Sequence, residues 1–89
     1  MIHCDVVIIN KLGLHARAAA KFVSCASDFS SRVRAGRDGR LVDGKSIMSV
    51  MMLAAARGTT LQLEIDGEDE NEALAALKTL IENRFDEAE

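Results

Sequence analysis

Leu61, Leu63 and Ile65 alternate with Gln62, Glu64 and Asp66, so residues 61–66 form a strand with one dry face and one wet face. A strand of that kind belongs in a sheet covered on one side only, which restricts the fold more than any other feature of the chain. Three further stretches need the same treatment. Ile2 to Ile9 alternates at its start and is rich in β-branched residues, while Arg32-Val33-Arg34-Ala35 and Arg40-Leu41-Val42 flank a turn at Gly36 to Gly39 and make a hairpin. Between these strands the apolar spacing becomes helical. Ala19, Phe22, Val23 and Ala26 mark the buried face of a helix over 16–26, and Ile47 to Ala54 is a short apolar helix stopped by Gly58. Glu68-Asp69-Glu70 opens a last helix, with acids at its positive end and a buried stripe of Ala73, Leu74, Leu77, Leu80, Ile81 and Phe85. Segment 86–89 is expected to fray. The order βαββαβα specifies an α+β fold: a four-stranded antiparallel sheet with three helices on one face, an open-faced β-sandwich forming a single domain over residues 1–89.

Composition narrows the classes of function. Of the 11 Lys and Arg residues, nine fall in residues 1–57 with only four of the 14 acids, so that part carries +5 and residues 58–89 carry −8. An overall charge of −3, with three Phe and no Tyr or Trp to stack on bases, argues against nucleic-acid binding. The positive part suits an anion or an acidic protein partner. No apolar run approaches the roughly 18 residues that span a membrane, and no basic-then-apolar signal segment opens the chain. Cys4 and Cys25 match neither a disulfide framework nor a zinc site, and are expected to be reduced, buried hydrophobes in a cytoplasmic protein.

Gly39-Arg40-Leu41-Val42-Asp43-Gly44-Lys45-Ser46 matches the pattern of a nucleotide-binding P-loop. The mechanism behind that pattern needs a strand before the first glycine and a long helix after the serine. Here Leu41-Val42 is itself strand, and the helix that follows is short, so the match is rejected.

His15 holds a different kind of position. It stands between an apolar strand with its loop and a helix that begins Ala16-Arg17-Ala18, where unpaired amides and the positive end of the helix dipole attract anions. Taken alone, such a histidine is a helix cap. With Arg17 two residues on as a bidentate phosphate partner, it becomes a nucleophile beside a phosphate cradle built from the amides of Ala16 and Arg17 and the Arg17 guanidinium. No metal cluster or paired carboxylate converges on it, which favours a carrier over a hydrolase. His3 has no comparable setting.

Asn10-Lys11-Leu12-Gly13-Leu14-His15-Ala16-Arg17 resembles the active-site signature of the HPr family, the histidine-containing phosphocarriers of the bacterial sugar phosphotransferase system. Gly44-Lys45-Ser46-Ile47-Met48 resembles that family's second signature, around a regulatory serine. The likeness runs over nearly the whole chain. It implies that Enzyme I phosphorylates His15, at Nδ1, that Enzyme IIA domains accept the phosphate, and that Arg17 assists transfer. It further implies that HPr kinase/phosphorylase acts on Ser46, and that the carrier is a monomer without cofactor, metal or turnover of its own. A nitrogen-regulatory branch of the family, signalling through protein contact, is the alternative, and Arg84-Phe85-Asp86 is similar to its ending. One position departs from the pattern: Ala18 stands where the family usually has proline. Alanine is an excellent helix former, so the helix is expected to survive.

Ser46 is by position a good N-cap, and a phosphate there is compatible with the helix start. Ile47, Met48, Met51 and Met52 follow at i, i+1, i+4 and i+5, and are expected to form an exposed, adaptable docking patch, with Val50 and Leu53 facing the core.

Overall fold

The computed structural model describes residues 1–89. Strands β1 (Ile2–Val7), β2 (Arg32–Arg37), β3 (Arg40–Asp43) and β4 (Thr60–Asp66) are joined by helices α1 (Ala16–Ser27), after β1, and α2 (Ile47–Met52), after β3; helix α3 (Glu70–Glu82) follows β4, and a single left-handed turn, η1, covers Arg84–Asp86. The sheet runs β1-β4-β2-β3, antiparallel throughout. The last long strand in sequence is thus a central strand, paired on both edges.

Register explains the two faces. Cys4 pairs with Leu63 and Leu63 with Ala35, while Val6 pairs with Leu61 and Val33 with Ile65, which puts these apolar side chains in rows beneath the helices. Leu61, Leu63 and Ile65 are almost fully buried, each contributing about 1.5–3 kcal/mol by leaving water. The opposite face carries a polar row in which His3 pairs with Glu64 and Glu64 with Arg34; Arg34 Nε donates to Glu64 Oε1 at 2.8 Å. The β2–β3 connection tightens to two residues, Asp38 and Gly39, both at positive φ (53° and 81°). That pairing of dihedrals matches the strand twist, and it lets β2 run on to Arg37.

Ala18, Ala19, Phe22, Val23 and Ala26 form the buried face of α1, as the spacing predicts. Helix α2 is shorter than its apolar run: it ends at Met52, Leu53 caps it, and Ala54 turns out at φ 51°, four residues before Gly58. Val50 and Leu53 are buried. Cys4 and Cys25 are free and half-buried against the core. In the stretch that mimics a P-loop, β3 occupies the supposed loop and Lys45 Nζ donates to Phe29 O at 2.8 Å.

The end of the chain departs from expectation. Helix α3 stops at Glu82 rather than carrying its stripe to Phe85. Arg84, Phe85 and Asp86 all adopt positive φ (57°, 53° and 63°), a reversal in which Phe85 drops, fully buried, into the core. Lys21 Nζ donates to Phe85 O at 3.0 Å, and the Lys11 amide donates to Glu89 O at 2.7 Å. Segment 86–89 is therefore docked and not frayed.

Candidate functional site

His15 is the N-cap of α1, with an extended backbone (φ −72°, ψ 176°), and its carbonyl accepts the first helical bond, from Ala19 N at 2.8 Å. Its side chain caps nothing. The amides of Ala16, Arg17 and Ala18 make no backbone hydrogen bond, so they stand open as donors at the positive end of a 12-residue helix. The Arg17 side chain is exposed and forms no ion pair in the chain.

The loop before His15 is held from both sides. Asn10 is fully buried and its Nδ2 donates to Gly13 O at 2.8 Å, while the Leu14 amide donates to Ala55 O at 2.9 Å. Gly13 has φ 64°, and a Cβ there would lie 2.4 Å from Ala55 O, so only glycine lets the loop press against the segment after α2. Buried Leu14 then fixes the next residue, and the His15 side chain is left 28% exposed. It is neither sealed in the core nor loose in solvent.

A shallow cleft of about 430 Å³ opens beside the ring, lined by Lys11, Leu12, His15, Arg17, Glu87, Ala88 and Glu89. The last three come from the docked end segment. Glu87 Oε2 meets His15 Nε2 directly, and Asn10 Nδ2 donates to Glu87 Oε1 at 3.0 Å. Burial pushes the Glu87 carboxyl up, but the hydrogen bonds from His15 and Asn10, with the positive charge of Arg17 nearby, outweigh it and hold the group below the usual glutamate range. The structure therefore brings His15, Ala16 and Arg17 together as the sequence predicts, and adds Asn10 and Glu87. Nothing in the local spacing signals Glu87, which lies 72 residues from the ring it touches.

Ser46 caps α2, its Oγ accepting from the Ser49 amide at 3.3 Å. Ile47, Met48, Met51 and Met52 are exposed (44%, 68%, 37% and 66%). Helix α2 packs on α1, and the segment that follows it holds the His15 loop through Ala55. His3 is a surface residue, 3.8 Å from Glu64. No group of three or more His, Cys, Asp or Glu side chains is arranged to hold a metal, and no helix is long and apolar enough to cross a membrane.

Three comparisons agree on what this arrangement resembles. A family model described as "PTS HPr component phosphorylation site" matches residues 2–83. The phosphocarrier protein HPr of Cupriavidus necator is 60% identical over 89 residues, covering the whole of both chains. Among solved structures, HPr-C-His from Thermoanaerobacter tengcongensis superposes with a TM-score of 0.95 at 45% identity over the whole of both chains. An HPr dimer from the same organism superposes at 0.78 with 46% identity, covering 98% of this chain and all of that one.

Proposed function

The chain belongs to the HPr family of phosphocarriers of the phosphotransferase system, and on that premise we propose that His15 accepts a phosphoryl group from Enzyme I and passes it to Enzyme IIA domains. The observation that carries this reading is the half-exposed His15 ring at the head of α1, beside three open amides and an unpaired arginine. A neutral ring nitrogen attacks phosphorus. The transferred group, with about two negative charges, then meets the amides of Ala16 and Arg17 and the Arg17 guanidinium. The resulting P–N bond is labile, so the group moves on without hydrolytic machinery, and the protein has no turnover of its own. Incubation with Enzyme I and phosphoenolpyruvate, followed by mass spectrometry, tests the reading: wild type gains one phosphoryl group and His15→Ala gains none. Modification of His15→Ala to the same extent would overturn it. Onward transfer to a sugar-specific Enzyme IIA, rather than only to a nitrogen-type one, identifies the branch.

The exposed patch of Ile47, Met48, Met51 and Met52 is the surface we assign to these partners, since flexible thioether side chains repack against several shapes in turn. Ser46 we take as a regulatory site for HPr kinase/phosphorylase, because its half-buried hydroxyl already caps α2 and a phosphate there adds charge beside the patch without opposing the helix. Ser46→Asp is then expected to accept phosphate from Enzyme I more slowly than wild type, and an equal rate would remove the assignment. The working form we propose is a cytoplasmic monomer; a sedimentation experiment at micromolar concentration reads the oligomeric state.

A further inference from the structure

One side chain outside the acceptor's own helix touches the reacting ring. Glu87 meets Nε2 of His15 with Oε2, and its other oxygen is held by Asn10, which is buried and tied to the His15 loop through Gly13 O. A carboxylate at neutral pH has no proton to give and only accepts. The proton of the Glu87–His15 bond therefore sits on Nε2, and in the neutral ring the lone pair is on Nδ1. Nδ1 itself has no hydrogen-bond partner in the chain.

We propose that Glu87 is a positioning residue for phosphoryl transfer, holding His15 as the Nε2–H tautomer so that Nδ1 is the nucleophile, and countering the positive charge the ring gains. The inference rests on His15 being the phosphoryl acceptor. In the forward step the Nδ1 lone pair forms the N–P bond, while the bond from phosphorus to the donor breaks and its electron pair stays with the donor. Nε2 keeps its proton, so the ring becomes positive, and Glu87 faces that charge from the edge away from the phosphoryl group. In onward transfer the N–P bond breaks, its electrons return to Nδ1, and the same neutral tautomer is restored. No proton enters or leaves the ring in either direction.

The other charged groups around the cleft are Lys11, Arg17 and Glu89; of these Glu89 is engaged by Lys11 at 3.3 Å, which leaves Glu87 as the carboxylate on the ring. Its placement is firm, because Phe85 is buried two residues earlier and the Lys11 amide holds the segment two residues later.

The test combines ¹⁵N spectra of the His15 ring nitrogens with initial rates of phosphorylation by Enzyme I and phosphoenolpyruvate. Wild type is expected to show a protonated Nε2 and a bare Nδ1. Glu87→Ala is expected to show mixed tautomers and transfer slower by on the order of threefold to tenfold, the share of one charge-assisted hydrogen bond at a partly exposed site. Glu87→Gln keeps a neutral acceptor and should lose less. Glu82→Gln, which removes the same charge from an exposed position on α3, should leave spectrum and rate as in wild type. Unchanged ring signals in Glu87→Ala, or transfer as fast as or faster than wild type, would overturn the role of Glu87; faster transfer would mark the segment as a brake. Failure of wild type itself to be phosphorylated on His15 would instead overturn the functional reading.

Discussion

Replacing Phe85 with alanine should release the segment that reaches His15. Arg84, Phe85 and Asp86 sit in succession in the left-handed region, where each non-glycine residue costs about 1–2 kcal/mol, or on the order of 3–6 kcal/mol together. Phe85 is fully buried, and truncating such a side chain typically costs about 3–5 kcal/mol. Burial of one phenyl ring therefore roughly offsets the strain of the turn, with Lys21 and Lys11 adding single hydrogen bonds. Once the ring is gone, undocking relieves the strained dihedrals and returns part of the loss, so the net fall in stability should be roughly 2–3 kcal/mol rather than 5. Urea unfolding measures that fall, and hydrogen exchange locates it. The Lys11 amide, bonded to Glu89 O at 2.7 Å, and the Glu87 amide, bonded to Arg84 O at 2.9 Å, should lose protection while the amides of β4 keep theirs. If both amides stay protected, or stability drops by less than about 1 kcal/mol, the turn is held by something other than Phe85 and the reasoning fails.

Three further outcomes follow from the geometry. Gly13→Ala places a Cβ 2.4 Å from Ala55 O at φ 64°, and should cost roughly 2–4 kcal/mol in urea unfolding while slowing His15 phosphorylation; a loss below about 0.5 kcal/mol would contradict the close approach. The Asp69 carboxyl is held at about 2, below its ordinary 3.8, by hydrogen bonds from the Ser31 hydroxyl and the Ser30 amide, which with lesser help from the Ser31 amide and the Ser30 hydroxyl outweigh the opposing effect of burial. Because the folded value is the lower one, its contribution is complete above about pH 4 and is lost as pH falls toward about 2. The gap in urea midpoint between wild type and Asp69→Asn should close across that window, and a gap independent of pH would refute the assignment. Ala18→Pro removes an amide that has no backbone partner, so circular dichroism should show α1 intact and stability held or raised by up to about 1 kcal/mol; a fall of more than about 1 kcal/mol would show that the buried position has no room for the ring.

The layered fold was legible because the central strand carries a period of two on one face, in Leu61, Leu63 and Ile65, and α1 and α3 each carry a 3.6-residue stripe. The residues of the proposed acceptor site could be picked out for a local reason as well: a helix start, a histidine and an arginine lie within three residues. What escaped was non-local. Phe85 stands four residues after Ile81, the spacing that continues a buried helical stripe, so nothing in the pattern separates a longer helix from a reversed turn that buries the same ring. Neither glycine nor proline marks the break. Glu87 belongs to an acidic run that reads as solvated, and only the folded chain brings it to His15. Asn10, in a loop, gave no sign that it would be fully buried. The early end of α2 at Ala54 was equally hidden: its positive φ comes one residue before Ala55, whose carbonyl accepts from the Leu14 amide of the His15 loop.

The placing of β4 between β1 and β2 also has a consequence for how the polypeptide is born. The first strand has no neighbour until residues 60–66 arrive, which at about 5–20 residues per second takes the ribosome roughly 3–11 s. Throughout that interval Val6 and Ile8, later sealed from water, must wait uncovered, so the sheet is completed only after most of the protein has been translated.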